Sequence, residues 1–118
     1  MLNLDDTKIL ALMEAYTENI KATKDKSNHD YYIPRVEQGS KYLRFDYGHA
    51  TSPGHNSGHW MINRETEQVY AIKGYGVPNL KKPHGTVDQM IANLKLATER
   101  HIDYMHTYWY AIPSHPLA

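Results

Sequence analysis

The spacing of apolar residues predicts an amphipathic helix near the start of the chain. The apolar positions recur every three or four residues, as they do on one face of an α-helix. They are Ile9, Leu12, Met13, Tyr16 and Ile20. Asp5 precedes this stripe and is the expected N-cap. The pattern fades in the polar stretch 24–30, which we expect to form a loop.

In the middle of the chain the apolar period changes from that of a helix to that of a strand. Residues 41–47 alternate between apolar and polar side chains, which is typical of a half-buried strand. Two further runs, 59–63 and 68–73, are separated by a polar turn and predict a hairpin. The short run 31–33 is followed by Pro34, so we interpret it as an edge segment, where proline is tolerated.

A second helical stripe follows Thr86, whose spacing from Gln89 matches a capping box. The stripe continues until Pro113. The predicted fold is therefore α+β, with an N-terminal helix, a three-stranded antiparallel meander and a long C-terminal helix packed on one sheet face. We expect one domain over 1–118, with a loose tail over 113–118.

Composition narrows the possible functions. The 118 residues include no cysteine, which excludes disulfide scaffolds, cysteine-ligated metals and thiol catalysis. No apolar run is long enough for a membrane helix, and the first residues do not resemble a signal peptide. We therefore expect a small soluble protein of the cytoplasm that does not associate with membranes.

Basic charge is concentrated in the middle third of the chain, although lysine and arginine balance aspartate and glutamate overall. Residues 41–84 hold six basic and three acidic residues. This excess is too small for a duplex-DNA-binding face. It suits a phosphate-bearing small molecule or a short single strand.

The connection between the last predicted strand and the last helix has the composition of an anion site. It combines glycines, lysines and a histidine with the free N–H groups that a helix N-terminus offers to phosphates. The expected phosphate contacts are Lys73, Lys81, Lys82, His84, Gly85 and Thr86. The expected stacking and rim residues are Tyr75, Trp60, Asn56, Ser57 and His59. The same composition also fits a solvated connection whose lysines serve solubility.

Histidines are frequent in and near the glycine-rich loop 48–58. Two histidines placed beside a phosphate, either His59 with His84 or His55 with His59, would be the general acid and base of a metal-independent phosphodiesterase. A zinc site would require convergence of at least three side chains. The candidates are His49, His55, His59, His84 and Asp46. We predict no metal and no other cofactor, and we favour a binding protein over an enzyme.

Tyrosine is the most unusual feature of the composition, since ten tyrosines and two tryptophans accompany one phenylalanine. Tyrosine-rich surfaces serve recognition, although tyrosine can also replace phenylalanine in a wet core. The aromatic residues Tyr104, Tyr108, Trp109 and Tyr110 predict a homo-oligomer interface. Inhibition of a host protein through tyrosine-rich faces, and binding of single-stranded RNA, are alternative functions.

Residues 57–70 resemble a segment of small uncharacterised bacteriophage proteins, and the resemblance extends to Gly85. The matching positions are Ser57, His59, Asn63, Thr66, Val69, Tyr70 and Gly85, whereas Glu67 stands where the usual turn has glycine. The resemblance implies a phage origin and a location in the host cytoplasm. By analogy of class, it suggests a counter-defence protein that sequesters a nucleotide-like signal, cleaves it or inhibits a host protein.

Overall fold

A computed structural model describes residues 5–52 and 56–103, with the side chain of Asn56 excepted. Along the chain, one α-helix precedes five strands and a second α-helix follows them. A short 3₁₀ helix lies between the first α-helix and the first strand. The elements are α1 (Asp6–Thr23), the 3₁₀ helix (Lys26–Tyr31), β1 (Ile33–Gln38), β2 (Tyr42–Gly48), β3 (Asn56–Asn63), β4 (Gln68–Gly74), β5 (Val77–Thr86) and α2 (Val87–Glu99).

The strands form one antiparallel sheet in the order β1-β2-β3-β4-β5. The predicted α+β class, with two helices and an antiparallel meander, is confirmed, but the predicted number of three strands is wrong. The stretch that joins the predicted hairpin to the last helix forms β5, and residues 33–38 form β1. Both are edge strands and both contain proline, which an edge tolerates because its outer N–H groups need no partner in the ladder.

The strand β5 departs strongly from regular pairing. Tyr70 pairs with Pro83 and Ile72 with Pro78, so a two-residue step on β4 faces a five-residue step on β5. The extra residues form a bulge over 79–82. This irregularity explains why the segment has the composition of a loop although it lies in the sheet.

Helix ends follow the predicted local chemistry. Asp5 accepts a hydrogen bond from the Lys8 amide at 2.9 Å, and Thr86 with Gln89 forms the complete capping box, so both predicted caps are confirmed. The helix α2 ends at Glu99, well before the predicted end at Pro113. His101 has φ +54, the left-handed conformation that ends many helices. The predicted aromatic interface and the tail 113–118 lie outside the described residues.

The core lies between the two helices and the sheet. Tyr16 and Leu12 of α1 and Met90 and Leu94 of α2 are buried against one sheet face. That face is formed by Leu43, Phe45, Trp60, Ile62 and Val69. No helix in residues 5–52 and 56–103 is long and apolar enough to cross a membrane.

Candidate ligand-binding site

The predicted phosphate contacts are not gathered at one place, because Lys73 lies on β4 and the others lie on β5. Gly74 pairs with Val77 at one end of the β4–β5 hairpin, and Gln68 pairs with Thr86 at the other. Gln68 and Gly74 are six residue steps apart along β4, which is about 20 Å at the usual rise of a strand. Lys73, beside the hairpin tip, is therefore far from the start of α2.

The remaining basic residues of the prediction have different environments. Lys81 and Lys82 are exposed in the bulge of β5. His84 is buried, and burial, with a smaller effect of Lys82, lowers its pKa to about 4. His84 is therefore neutral at pH 7 and brings no positive charge to the start of α2.

The start of α2 is closed by the chain's own groups. The Thr86 amide donates to Gln89 Oε1 at 2.8 Å, and the Gln89 amide donates to Thr86 Oγ1 at 3.3 Å. The Val87 amide donates to the carbonyl oxygen of Glu67 at 3.0 Å. Gly85, with φ +95, lies so close to Gln89 that a Cβ atom would meet Oε1 at 2.5 Å. This glycine accommodates the cap, and the cap uses the Thr86 amide that the prediction assigned to a phosphate.

Tyr75, predicted to stack on a base, is engaged on the sheet face that points away from the helices. Its hydroxyl donates to Asp46 at 2.9 Å, and the Arg44 guanidinium lies 4.7 Å from its ring centre. Asp46 is buried, and burial raises the pKa of its carboxyl group even though Tyr75 and Arg44 oppose that effect. One face of the Tyr75 ring is therefore covered by Arg44.

A cavity of about 500 Å³ opens where the 3₁₀ helix meets the end of β2 and the start of β3. We call it the tyrosine pocket, because tyrosine rings dominate its lining. The lining residues are Asn28, Tyr31, Tyr32, Tyr47, Gly48, His49 and Ser57. Among the predicted rim residues, Ser57 lines the pocket, His59 and Trp60 lie behind it in the core, and the side chain of Asn56 is outside the described part.

Local structure explains how these separate segments meet. The Ala50 amide donates to the carbonyl oxygen of Asp30 at 2.8 Å, which joins the loop after β2 to the 3₁₀ helix. On β3, Trp60 pairs with Phe45 and Gly58 pairs with Asp46. His59 is therefore the extra residue of a β-bulge, which re-aims the side chains around it.

A continuous series of ring contacts connects the pocket wall to the core. Tyr32 stacks on Tyr47 with 5.6 Å between ring centres, and Tyr47 lies 4.5 Å from the His59 ring. His59 in turn stacks on Trp60 at 5.1 Å and meets the edge of Tyr16 at 5.8 Å. Close-packed interiors resist displacement, so the core holds the wall of the tyrosine pocket in place.

The groups behind the wall are neutral at pH 7. Burial, with a smaller effect of Lys24, lowers the pKa of His59 to about 3. Burial raises the pKa of the Tyr16 phenol, and its hydroxyl has no hydrogen-bond partner among the described residues. Neutral, polarisable rings favour an apolar planar ligand over a free ion.

Two cations adjoin the tyrosine pocket. Lys24 Nζ lies 4.6 Å from the centre of the Tyr32 ring and pairs with Asp103 at 2.7 Å. Arg35 donates through NH2 to the carbonyl oxygen of His49 at 3.2 Å. Its Nε is buried and has no hydrogen-bond partner within the described ranges. The pocket therefore has positive charge beside two of its lining residues.

The predicted catalytic pair is not assembled at this pocket. His59 is on β3 and His84 on β5, and β4 lies between these strands. The backbones of β3 and β5 are therefore about 10 Å apart, which is two strand spacings. Neither ring is part of the pocket lining.

No metal centre is evident in the described chain. Over residues 5–52 and 56–103, no three histidine, aspartate or glutamate side chains converge as metal ligands would. His55, one of the candidate ligands, lies outside these ranges.

Comparisons with protein families, curated proteins and solved structures give no match to this chain. The resemblance of residues 57–70 to phage proteins stays a prediction. The class of protein that fold and site define is a small α+β domain with an open, tyrosine-lined pocket at one end of its sheet.

Proposed function

We propose that this chain binds a nucleotide-like, phosphate-bearing small molecule in the tyrosine pocket. The observation that carries the proposal is the open cavity of about 500 Å³ lined by three tyrosine rings. Its volume falls in the usual range for small-molecule sites, roughly 300–1,000 Å³. Tyrosine rings offer apolar faces for a planar ligand and hydroxyls for its polar edge.

The planar group of the ligand would bind at the mouth of the pocket. Tyr31 is 56% exposed there, and its ring is fixed by an edge contact with His49 at 4.6 Å. Stacking of one base on an aromatic side chain contributes about 1–3 kcal/mol. Asn28 and Ser57 supply an amide and a hydroxyl, which can both donate and accept hydrogen bonds.

Recognition of the phosphate falls to the cations beside the pocket. Lys24 and Arg35 replace the predicted lysines of β4 and β5 in this role, because they contact lining residues. Lys73, Lys81 and Lys82 do not line the pocket. A phosphate near Lys24 would compete with Asp103 for the ammonium group. We infer that affinity falls with salt, as it does for other charge-assisted contacts.

The biological role that we attach to this proposal is sequestration of a nucleotide-like signal as a counter-defence protein of a phage. It is supported by the phage resemblance of residues 57–85 and by a pocket lining that contains neither His59 nor His84, the predicted catalytic pair. Sequestration, unlike cleavage, leaves the bound ligand chemically intact.

Calorimetric titration tests the proposal with adenosine, guanosine, their monophosphates, cyclic dinucleotides, ADP-ribose and inorganic phosphate. We expect at least one nucleotide to bind, its nucleoside and phosphate alone to bind more weakly, and the nucleotide to be recovered intact. Tyr31→Ala should weaken binding about tenfold or more through loss of stacking. The matched control is Tyr75→Ala, since Tyr75 is 53% exposed and does not line the pocket.

Two results would contradict the proposal. One is the absence of binding by every nucleotide in the panel. The other is equal weakening by Tyr31→Ala and Tyr75→Ala, which would place the site outside the pocket. Degradation of a bound nucleotide would replace sequestration with phosphodiesterase activity.

A further inference from the structure

The β4–β5 hairpin presents a basic surface that includes two exposed aliphatic side chains. Residues 68–87 contain three lysines and neither aspartate nor glutamate. In the bulge 79–82, Leu80 is 62% exposed and is followed by the exposed Lys81 and Lys82. Val77, at the start of the same strand, is 48% exposed. We call residues 79–82 the basic bulge.

The surface between the two helices has the complementary character. A groove of about 370 Å³ runs between α1 and α2. Its lining residues are Ala11, Glu14, Ala15, Glu18, Lys95, Thr98 and Glu99. Three carboxylates face one lysine, so the groove is acidic, and its alanines leave room between the helices. Leu10, which is also exposed, lies one turn before Glu14 on the same helix face. We call this the acidic groove.

We propose that the basic bulge of one copy of this chain docks into the acidic groove of a second copy. Leu80 would enter the groove between the alanines, and Lys81 and Lys82 would meet Glu14, Glu18 and Glu99. The lining of the groove comes from α1 and α2 alone. Each contact therefore joins two different surfaces, the bulge of one copy and the groove of the other, and its repetition head to tail would join further copies.

The chemistry of the bulge favours a second copy over a nucleic acid. Bases stack on planar rings, whereas the exposed residues of the bulge are aliphatic and lysine side chains. The chain is neutral overall because its basic and acidic residues are equal in number. The basic bulge and the acidic groove are opposite in charge, so each copy carries both halves of a complementary interface. Such complementarity specifies orientation and partner more than affinity.

Sedimentation velocity of the full chain over a range of concentrations tests this proposal. We expect concentration-dependent association that weakens as NaCl rises from about 0.05 to about 0.5 M, because the facing charges are screened. Lys81→Glu/Lys82→Glu and Glu14→Lys/Glu18→Lys should each weaken association by about tenfold or more, since each sets like charges against each other. All four side chains are exposed, so circular dichroism should show unchanged folding.

Mixing the two double variants is the experiment that decides whether the bulge and the groove contact each other. In the mixture, the unchanged bulge of one variant meets the unchanged groove of the other, and the two reversed surfaces are also complementary. We expect mixing to restore association. The matched control Lys26→Glu/Lys41→Glu makes the same charge change at two exposed lysines elsewhere and should leave association intact.

Three results would overturn the proposal: a chain that stays monomeric at every concentration, association that both double variants leave unchanged, and a mixture that fails to associate. Binding of the bulge to an acidic protein or a nucleic acid in a chain that does not self-associate would also overturn it. Nucleotide binding should be unaffected by both double variants, so this test is independent of the tyrosine pocket.

Discussion

The tyrosine pocket and the start of α2 both have the composition of a ligand site. The pocket is open, whereas the start of α2 is closed by the chain's own groups. At the start of α2, Thr86, Val87 and Gln89 donate their amides to the chain's own oxygen atoms. At the pocket, large side chains from three segments leave an open cavity. A helix N-terminus attracts anions only when its amides are free, so a strong capping box in the sequence argues against a site there.

The largest expected effect comes from the core that supports the pocket. Trp60 is almost fully buried and stacks on His59, which contacts the pocket wall. Trp60→Ala should lower the free energy of unfolding by about 3–5 kcal/mol, as for other large core truncations. Urea denaturation followed by circular dichroism measures the loss. A cost below about 1 kcal/mol would show that the pocket is not braced by the core.

Each region contains one buried histidine, and together they predict a pH dependence of stability. Burial lowers the pKa of His59 to about 3 and that of His84 to about 4, from an ordinary 6.5. Their contribution to the free energy of unfolding is complete above pH 6.5. It is lost as the pH falls toward the folded-state pKa values. At pH 5 the loss is about 2 kcal/mol for each histidine.

Urea denaturation at pH 7 and pH 5 measures this loss. Asp46 acts in the opposite direction, because a raised carboxyl pKa gives stability that disappears as the pH rises. The variants His59→Gln and His84→Gln should each remove about half of the pH dependence. A dependence that both variants leave intact would mean that other groups cause it.

A smaller effect separates the two regions by function. Thr86→Ala removes the side-chain half of the α2 cap and should cost about 1 kcal/mol of stability. Nucleotide affinity should stay unchanged, as measured by calorimetry, because the capped amides take no part in the tyrosine pocket. Weaker nucleotide binding by this variant would return the start of α2 to the site.

The smallest expected effect lies in the turn between β3 and β4, where Glu67 contacts both α1 and α2. Glu67 has φ +64, and its side chain accepts from Lys8 at 2.6 Å. Both Glu67→Gly and Glu67→Ala remove this contact, but only alanine keeps the left-handed strain. We therefore expect the glycine variant to be more stable than the alanine variant by about 0.5–1 kcal/mol. Equal thermal stabilities would contradict that reasoning.

The sequence predicts well where local rules decide the outcome. The helical stripe of α1, the Asp5 cap and the Thr86–Gln89 box depend on neighbouring residues, and all three are confirmed. The strand β5 could not be recognised, because two prolines, a glycine and two lysines are typical of loops. Only its pairing with β4 makes it a strand.

The tyrosine pocket was also hard to predict, because it is formed by contacts between residues that are far apart in the sequence. Asn28, Tyr47 and Ser57 come from separate elements, and no spacing along the chain connects them. The unusual tyrosine content was the available signal, but it does not say which rings meet. Ser57 of the predicted rim lines the cavity, whereas the lining residues of the 3₁₀ helix were not part of the prediction.

The prolines at the two edges of the sheet have a consequence for how copies of this chain could accumulate. Pro34 in β1, and Pro78 and Pro83 in β5, interrupt the rows of donors that a neighbouring strand would need. Growth by continuous backbone pairing, as in amyloid, is therefore obstructed on both sides. Contacts between copies are left to side chains, and an assembly of that kind can dissolve again when conditions change.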